Sequence, residues 1–471
     1  MKTIHRIQNY SLTLGLTAIL FFSEAKAATF PVATDPAVVE YSNGIAFDGT
    51  AYLISMFDGT NVSVQRVSTN GALLGSQKLI GGGASLPAVG LAFAKTNYLV
   101  VWSDSTISSG VDMFGQLISQ AGAKVGSPFN LLQSQGSYGY QTVKALASDG
   151  TNFLTIWQDG NNNNYYGQLV TPAGTLSGTE FLISGQHQNG RSAAVTFGKT
   201  NYLVVWQSNN NDTGGNSLTY GATVSSGGSA GSPFQIGQAV EGDQNPVGAL
   251  SIAFDGTNYL AVWMWDPGPP SMMNVTNWQI YGRLVSQTAT FPGNERALTT
   301  GPNQVIPSLA FDGADYLLTY GFDSNTTNSD RTLRCQFIDR SANPVGTIFT
   351  PFAPQGTNVP LFALNGILFD GTRFALAATV GTLGTSGAVF GAFIPASTTP
   401  PTLASIGSLV GTQFPLLLTG TPGINYAVQI STNLSMSNWT AVVTNSPTNG
   451  TFSFTNANAT NASRFYRALK Q

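Results

Sequence analysis

In this chain of 471 residues, the candidates that together could do acid–base chemistry lie in three neighbouring segments. His187 lies four residues before Arg191, Glu241 and Asp243 follow in the next comparable segment, and Tyr138 and Tyr140 precede both. A histidine, an arginine, two carboxylates and tyrosines gathered at one place would suit general acid–base attack on a polysaccharide. The only other histidine, His5, sits near the N-terminus, and Cys335 is the sole cysteine. A Ser-His-Asp or Cys-His site would therefore have to use His187, and a three-histidine metal site is impossible. Convergence of polar loop residues is also what any ring of loops produces, so catalysis is the weaker expectation and binding the stronger.

Two other constellations suit binding. Trp265 and Trp278 flank a segment rich in Pro and Met, where exposed aromatics would stack on sugar rings or peptide side chains. The competing expectation is that both cover an edge of the core. Asp58, Asp104, Asp159, Asp266 and Asp323 each follow an apolar stretch. Asp159 with Asn161 and Asn163, and Asp323 with Asp330, offer oxygen ligands at roughly the spacing of a Ca²⁺ loop. Neither has the regular alternation or the bidentate partner of a calcium loop, and Asp also caps turns through the backbone. The expectation is no cofactor, with Ca²⁺ left open.

These residues are positioned by a repeat. An apolar stretch, an Asp-Gly-Thr turn, an aromatic and a second apolar stretch appear first at Phe47 to Tyr52. The pattern recurs at Phe93, Ser148, Phe197, Phe254, Phe311 and Phe369, about fifty residues apart, giving seven copies. Asp-Gly-Thr supplies the positive-φ turn of a tight hairpin. Ala94-Lys95 and Gly198-Lys199 replace Asp-Gly in two copies, so those turns must differ. The stretch after the turn, such as Tyr98 to Trp102, is apolar on both faces and hence buried on both. Two more short strands complete each copy. Seven such units predict an all-β, seven-bladed propeller over residues 28–397, each blade sandwiched by its neighbours. The seventh copy stops at Pro395 without a fourth strand, and the segment around Thr29 to Val32 resembles one, so the N-terminal strand is expected to close the ring.

In a propeller, the first-to-second (a–b) and third-to-fourth (c–d) strand turns share one face. The b–c and d–a loops share the other. The b–c loops here are long and variable, so function is expected on that mouth. Trp102, Trp157, Trp206 and Trp263 share one repeat position and are expected in the core, as is Cys335. Cys335 stands where other copies have Gly115, Gly167, Gly221, Gly282 and Gly391, glycines expected to make room for the tryptophans.

The copies Phe254 to Trp263 and Thr96 to Trp102 resemble the FDGTNYLVVW-type repeats of exported bacterial proteins, which implies a secreted propeller and no specific activity. After Thr398 to Pro401, residues 398–402 read as a linker. Within residues 403–471, Gly423 to Leu434, Trp439 and Arg464 to Ala468 resemble a C-terminal fibronectin-type-III-like module. That resemblance implies a small β-sandwich serving as a spacer or a carbohydrate-contacting accessory.

Composition bounds the partners. Charged residues are only 9% and the net charge is −3, so a nucleic-acid grip is not expected. Residues 1–27 read as a secretory signal peptide, with Lys2 and Arg6 before an apolar run and Ala25-Lys26-Ala27 as cleavage site. No later run is long enough to enter a membrane. The resulting expectation is a monomeric protein secreted by a bacterium, either extracellular or periplasmic and cell-surface. It would bind a polysaccharide or another exported protein. The alternatives are a polysaccharide hydrolase or lyase, and a structural surface protein.

Overall fold

The Asp-Gly-Thr turns close hairpins, and the hairpins build blades. The computed structural model describes residues 28–33, 40–82, 89–104, 112–132, 141–185, 192–209, 217–237, 249–265, 278–301, 303–323, 331–351, 361–382, 386–397, 402–405, 413–419, 426–431, 439–445, 451–457 and 465–470. They form seven four-stranded antiparallel sheets and two three-stranded ones. In blade 2, strands a to d are Val89–Ala94, Asn97–Asp104, Asp112–Ser119 and Lys124–Asn130. The described residues divide into two compact units at the Ala396/Ser397 boundary. The first described unit is a seven-bladed propeller.

Ring closure follows the expectation. Blade 7 contributes Leu361–Phe369, Arg373–Thr382 and Ser386–Pro395, and its outer strand is the N-terminal Ala28–Ala33. Phe30 pairs with Gly391. A Cβ on Gly391 would stand 2.1 Å from the Phe30 ring, so only glycine admits this contact.

Strand b is the buried spine. Tyr52, Tyr98, Phe153, Tyr202, Tyr259, Tyr316 and Phe374, one per blade, are all fully buried. Trp102, Trp157, Trp206 and Trp263 are core residues, and Cys335 is buried. Burial pushes the Cys335 thiol well above its usual range, which makes it a poor nucleophile. Each aromatic anchor contributes on the order of 2–3 kcal/mol from burial alone.

The recurring strand-c glycines do not make room for the strand-b tryptophans. A Cβ on Gly115 or Gly167 would meet Phe129 or Phe181, and on Gly221 or Gly282 it would meet Ile236 or Leu298. Each of these partners belongs to the outer strand or the residue just after it. Cys335, at the same position, pairs with Phe349 of strand d. Glycines against tryptophan exist elsewhere: Gly81 lies under Trp102, and Gly237 under Trp263, each from the preceding blade.

The second described unit holds the sheets Thr402–Ser405, Phe414–Thr419, Thr451–Asn456 and Thr440–Asn445, Tyr426–Ser431, Phe465–Lys470. Thr402, expected as the end of a linker, is already in a strand. Leu418, Tyr426 and Val428 form a core joined by Leu403, Val443, Phe452 and Phe454.

Candidate functional site

The same strands behave differently at their two ends. At the turn end, Asp48, Asp149, Asp255, Asp312 and Asp370 each accept hydrogen bonds on Oδ1 from the backbone amides two and three residues on. These carboxylates are turn caps. Burial pushes the Asp48 and Asp370 carboxyls up, but the hydrogen bonds together hold them below the usual value.

The two turns without Asp-Gly find separate solutions. In blade 2, Lys95 adopts φ +53. In blade 4, Gln287 of blade 5 lends the missing oxygen, its Oε1 accepting from the Lys199 and Thr200 amides at 3.0 and 3.1 Å.

In blades 1, 2, 4 and 5 a tyrosine anchor latches the blade to the turn of the one before. Tyr52 donates to Asp370, Tyr98 to the Ala51 carbonyl at 3.1 Å, Tyr202 to the Asn152 carbonyl at 3.5 Å and Tyr259 to the Asn201 carbonyl at 2.6 Å. Tyr316 is pushed well above its ordinary value, first by burial and then by the Asp255 carboxylate. Phe153 and Phe374 lack the hydroxyl.

The mouth end is irregular. The innermost strand shifts register at Ser42/Gly44 in blade 1, Val143/Ala145 in blade 3, Val305/Ser308 in blade 6 and twice in blade 7. The shifts of blades 1, 3 and 6 and the first of blade 7 fall in the half of the strand nearest the d–a loops; the second of blade 7 lies at mid-strand. Bulges re-aim side chains and gather near functional sites. Asn43 sits in the blade 1 bulge, 9% exposed, its Nδ2 without a hydrogen-bond partner among the described residues. Lys144 sits in the blade 3 bulge, and burial pushes its ammonium down to about 8. Ile306 in blade 6 has φ +54, unfavourable for a β-branched residue, and its amide donates to the Met264 sulfur at 3.2 Å.

The candidates from sequence divide as follows. His187, Arg191, Glu241, Asp243, Tyr138, Tyr140 and Asp330 lie outside the described residues, as does the segment 1–27. Trp265 is half-buried, edge-on to Tyr281 with centroids 4.4 Å apart and packed on the core of blades 4 and 5. Trp278 is also half-buried, and its carbonyl accepts from the Gln304 amide of blade 6 at 2.8 Å. Asp159 is buried and caps its own b–c turn, Oδ1 accepting from the Asn161 amide at 2.9 Å. The backbone of Asp323 stands opposite that of Arg331 in the strand register at the end of their hairpin. Among the described residues, no group of three or more His, Cys, Asp or Glu is placed to hold a metal ion.

Two features escaped the sequence reading. Asn43 and Lys144 were hidden because a bulge leaves no mark on hydrophobic alternation. The strand-c glutamines Gln65, Gln116, Gln168 and Gln336 were hidden because they lie inside strands. Each donates Nε2 to the carbonyl of the next residue; Gln116, Gln168 and Gln336 also donate to a strand-d carbonyl, as Gln116 does to Leu117 at 3.0 Å and Val125 at 3.1 Å, while Gln65 donates to the Gly75 carbonyl ahead of strand d. Repetition of Gln after the recurring strand-c position was the available signal.

Fold and site together define an all-β propeller with a regular turn end and an irregular mouth. No family model matches the chain, and no curated protein matches it. Among solved structures, the chain is similar to a subtype N10 neuraminidase-like protein of A/little yellow-shouldered bat/Guatemala/060/2010, at 11% identity over 78% of this chain and 98% of that one, TM-score 0.39. It is also similar to the Dos1 propeller, at 11% identity over 82% and 92%, TM-score 0.39. A protein of unknown function from Dyadobacter fermentans DSM 18053 is similar at 9% identity over 79% and 100%, TM-score 0.44. These likenesses bear on neither ligand nor reaction.

Proposed function

We propose that the chain is an exported, non-enzymatic binding protein whose propeller mouth takes a carbohydrate or a segment of another exported protein. The observation that carries this reading is the contrast between the two ends. The turn end repeats one Asp-capped geometry in five of its seven turns, while the mouth end carries bulged inner strands, half-buried Trp265 and Trp278 and, by sequence, the long b–c loops. Variable loops on a rigid scaffold are where recognition concentrates. The C-terminal unit fits a small β-sandwich of the fibronectin-type-III-like kind, acting as spacer or accessory. Export rests on the signal-peptide pattern of residues 1–27. Among the described residues, no helix is long and apolar enough to cross a membrane.

The test is binding of the purified mature chain to a broad polysaccharide array, followed by a cleavage assay on any hit. A hit without cleavage, weakened by Trp265→Ala or Trp278→Ala, supports the proposal. Cleavage abolished by Glu241→Gln or Asp243→Asn would replace it with the hydrolase or lyase reading. A blank array and no captured exported protein would leave a structural surface ring.

A further inference from the structure

A cleft of about 420 Å³ opens on the rim between blades 1 and 2, toward the turn end and away from the mouth. Arg66 and Lys78 line it together with Val64, Leu74, Ser76 and Gly122, and no carboxylate does. Both cations are held by neutral partners. Lys78 Nζ donates to the Gly122 carbonyl at 2.7 Å, and Arg66 Nη1 to the Ala121 carbonyl at 3.4 Å. Arg66 Nε is buried with no hydrogen-bond partner among the described residues. A third cation, Lys124, crosses the same seam to the Ile80 carbonyl at 3.3 Å.

Carbonyls orient these side chains without cancelling their charge. Asp48 and Arg66 act with opposite signs on the Tyr98 phenol, after burial; Asp48 Oδ1 accepts from the amides of Thr50 and Ala51, and the carboxylate does not line the cleft. In a chain of net charge −3, the seam is a local reversal of sign. An arginine and a lysine converging on one cleft suit an oxyanion. The volume is that of a small-ligand site rather than a single ion. The Leu74 and Val64 wall and the Ser76 hydroxyl suit a body of mixed polarity attached to that anion.

We infer that this rim cleft is a second binding site, for a saccharide bearing carboxylate groups. The shared chemistry is the carboxylate; the source argued for is a uronate chain, and the citrate arm of the test separates it from a free small acid. The inference is independent of the mouth as a binding site.

The test is calorimetric titration of the purified mature chain with trigalacturonate, maltotriose, citrate and inorganic phosphate, at low and high salt. Trigalacturonate is expected to bind and to weaken with salt, while maltotriose fails to compete for the site. Lys78→Gln removes an exposed charge without disturbing the core, and is expected to weaken trigalacturonate about tenfold. Arg66→Gln is expected to do the same. Lys199→Gln, in the exposed turn of blade 4, is expected to change nothing. Any neutral-sugar binding at the mouth should survive Lys78→Gln, so either site can fail alone. Three results would overturn the inference: no trigalacturonate binding, binding indifferent to Lys78→Gln, or citrate or phosphate binding as tightly as trigalacturonate.

Discussion

The two ends of the propeller are made by the same strands and obey different rules. At the turn end, one Asp-capped geometry repeats in five blades, and the two departures are met locally by Lys95 at positive φ in blade 2 and by the neighbour's Gln287 in blade 4. At the mouth end, the innermost strands of blades 1, 3, 6 and 7 break register, while those of blades 2, 4 and 5 pair without a shift. The difference teaches where stability and recognition are separated. Inter-blade latches and caps hold one end, and a bulge or a strained residue such as Ile306 is tolerated at the other because that hold exists.

The largest effect expected is from opening the ring. A mature chain lacking residues 28–33 would leave Ser386–Pro395 of blade 7 as an unpaired edge. It would also remove Phe30 and Val32 from the core shared by blades 7 and 1. Urea denaturation should show lost cooperativity or aggregation. A normal, cooperative transition would mean that the latches alone close the ring. The second largest effect concerns the mouth. Burial lowers Lys144 from 10.5 to about 8, so the folded chain binds fewer protons than the unfolded one between those pH values. Stability attributable to this group therefore rises with pH across that window, and the full penalty, about 3 kcal/mol at most, applies below pH 8. Lys144→Met should raise the melting temperature at pH 7, with the gain shrinking toward pH 10. An equal gain at both pH values would show that packing, not charge, is at issue.

At still higher pH the turn end should fail first. Burial, aided by Asp370 for Tyr52 and by Asp48 for Tyr98, raises those phenols above their ordinary value of 10. The unfolded chain then loses protons that the folded chain keeps, and stability falls as pH rises beyond about 10. Phe153 and Phe374, without a hydroxyl, contribute nothing to this response.

The fold was legible because its determinants are local. The Asp-Gly-Thr turn, the doubly apolar strand b and the missing fourth strand of copy seven each state a backbone or burial requirement in consecutive residues. The mouth was less legible. A bulge at Lys144 is set by pairing between strands rather than by the residues beside it, and Val143-Lys144-Ala145 looks like ordinary alternation. The glycines of strand c were seen but assigned the wrong neighbour, because their repeat position gives no direction across the sheet. Gly167→Val tests the corrected assignment. The new side chain would meet Phe181, whose ring stands 2.5 Å from the Cβ position, and overpacking should cost about 1–3 kcal/mol in urea titration. Combining it with Phe181→Ala should recover part of that loss, whereas Trp157→Phe should not.

The smallest effect comes from Gln287, and it bears most directly on the comparison. Its Oε1 accepts from the amides of Lys199 and Thr200 and from the Thr200 hydroxyl at 3.0 Å, in the turn of the preceding blade. Its own carbonyl accepts from Asn201 Nδ2 at 2.9 Å. One side chain thus does for blade 4 what Asp255 does within blade 5, and also ties the two blades together. Gln287→Ala should cost about 1 kcal/mol, since the amides are near the surface and water can replace the lost acceptor. A Cβ at position 198 would stand 2.4 Å from the Tyr259 hydroxyl, so replacing Gly198-Lys199 with Asp-Gly supplies a cap within the blade only if that anchor yields; with that shift Gln287→Ala should become nearly neutral, a coupling that a double-mutant cycle measures. If the two changes are additive instead, the borrowed oxygen does not substitute for the local one, and the turn end is less uniform in energy than in shape.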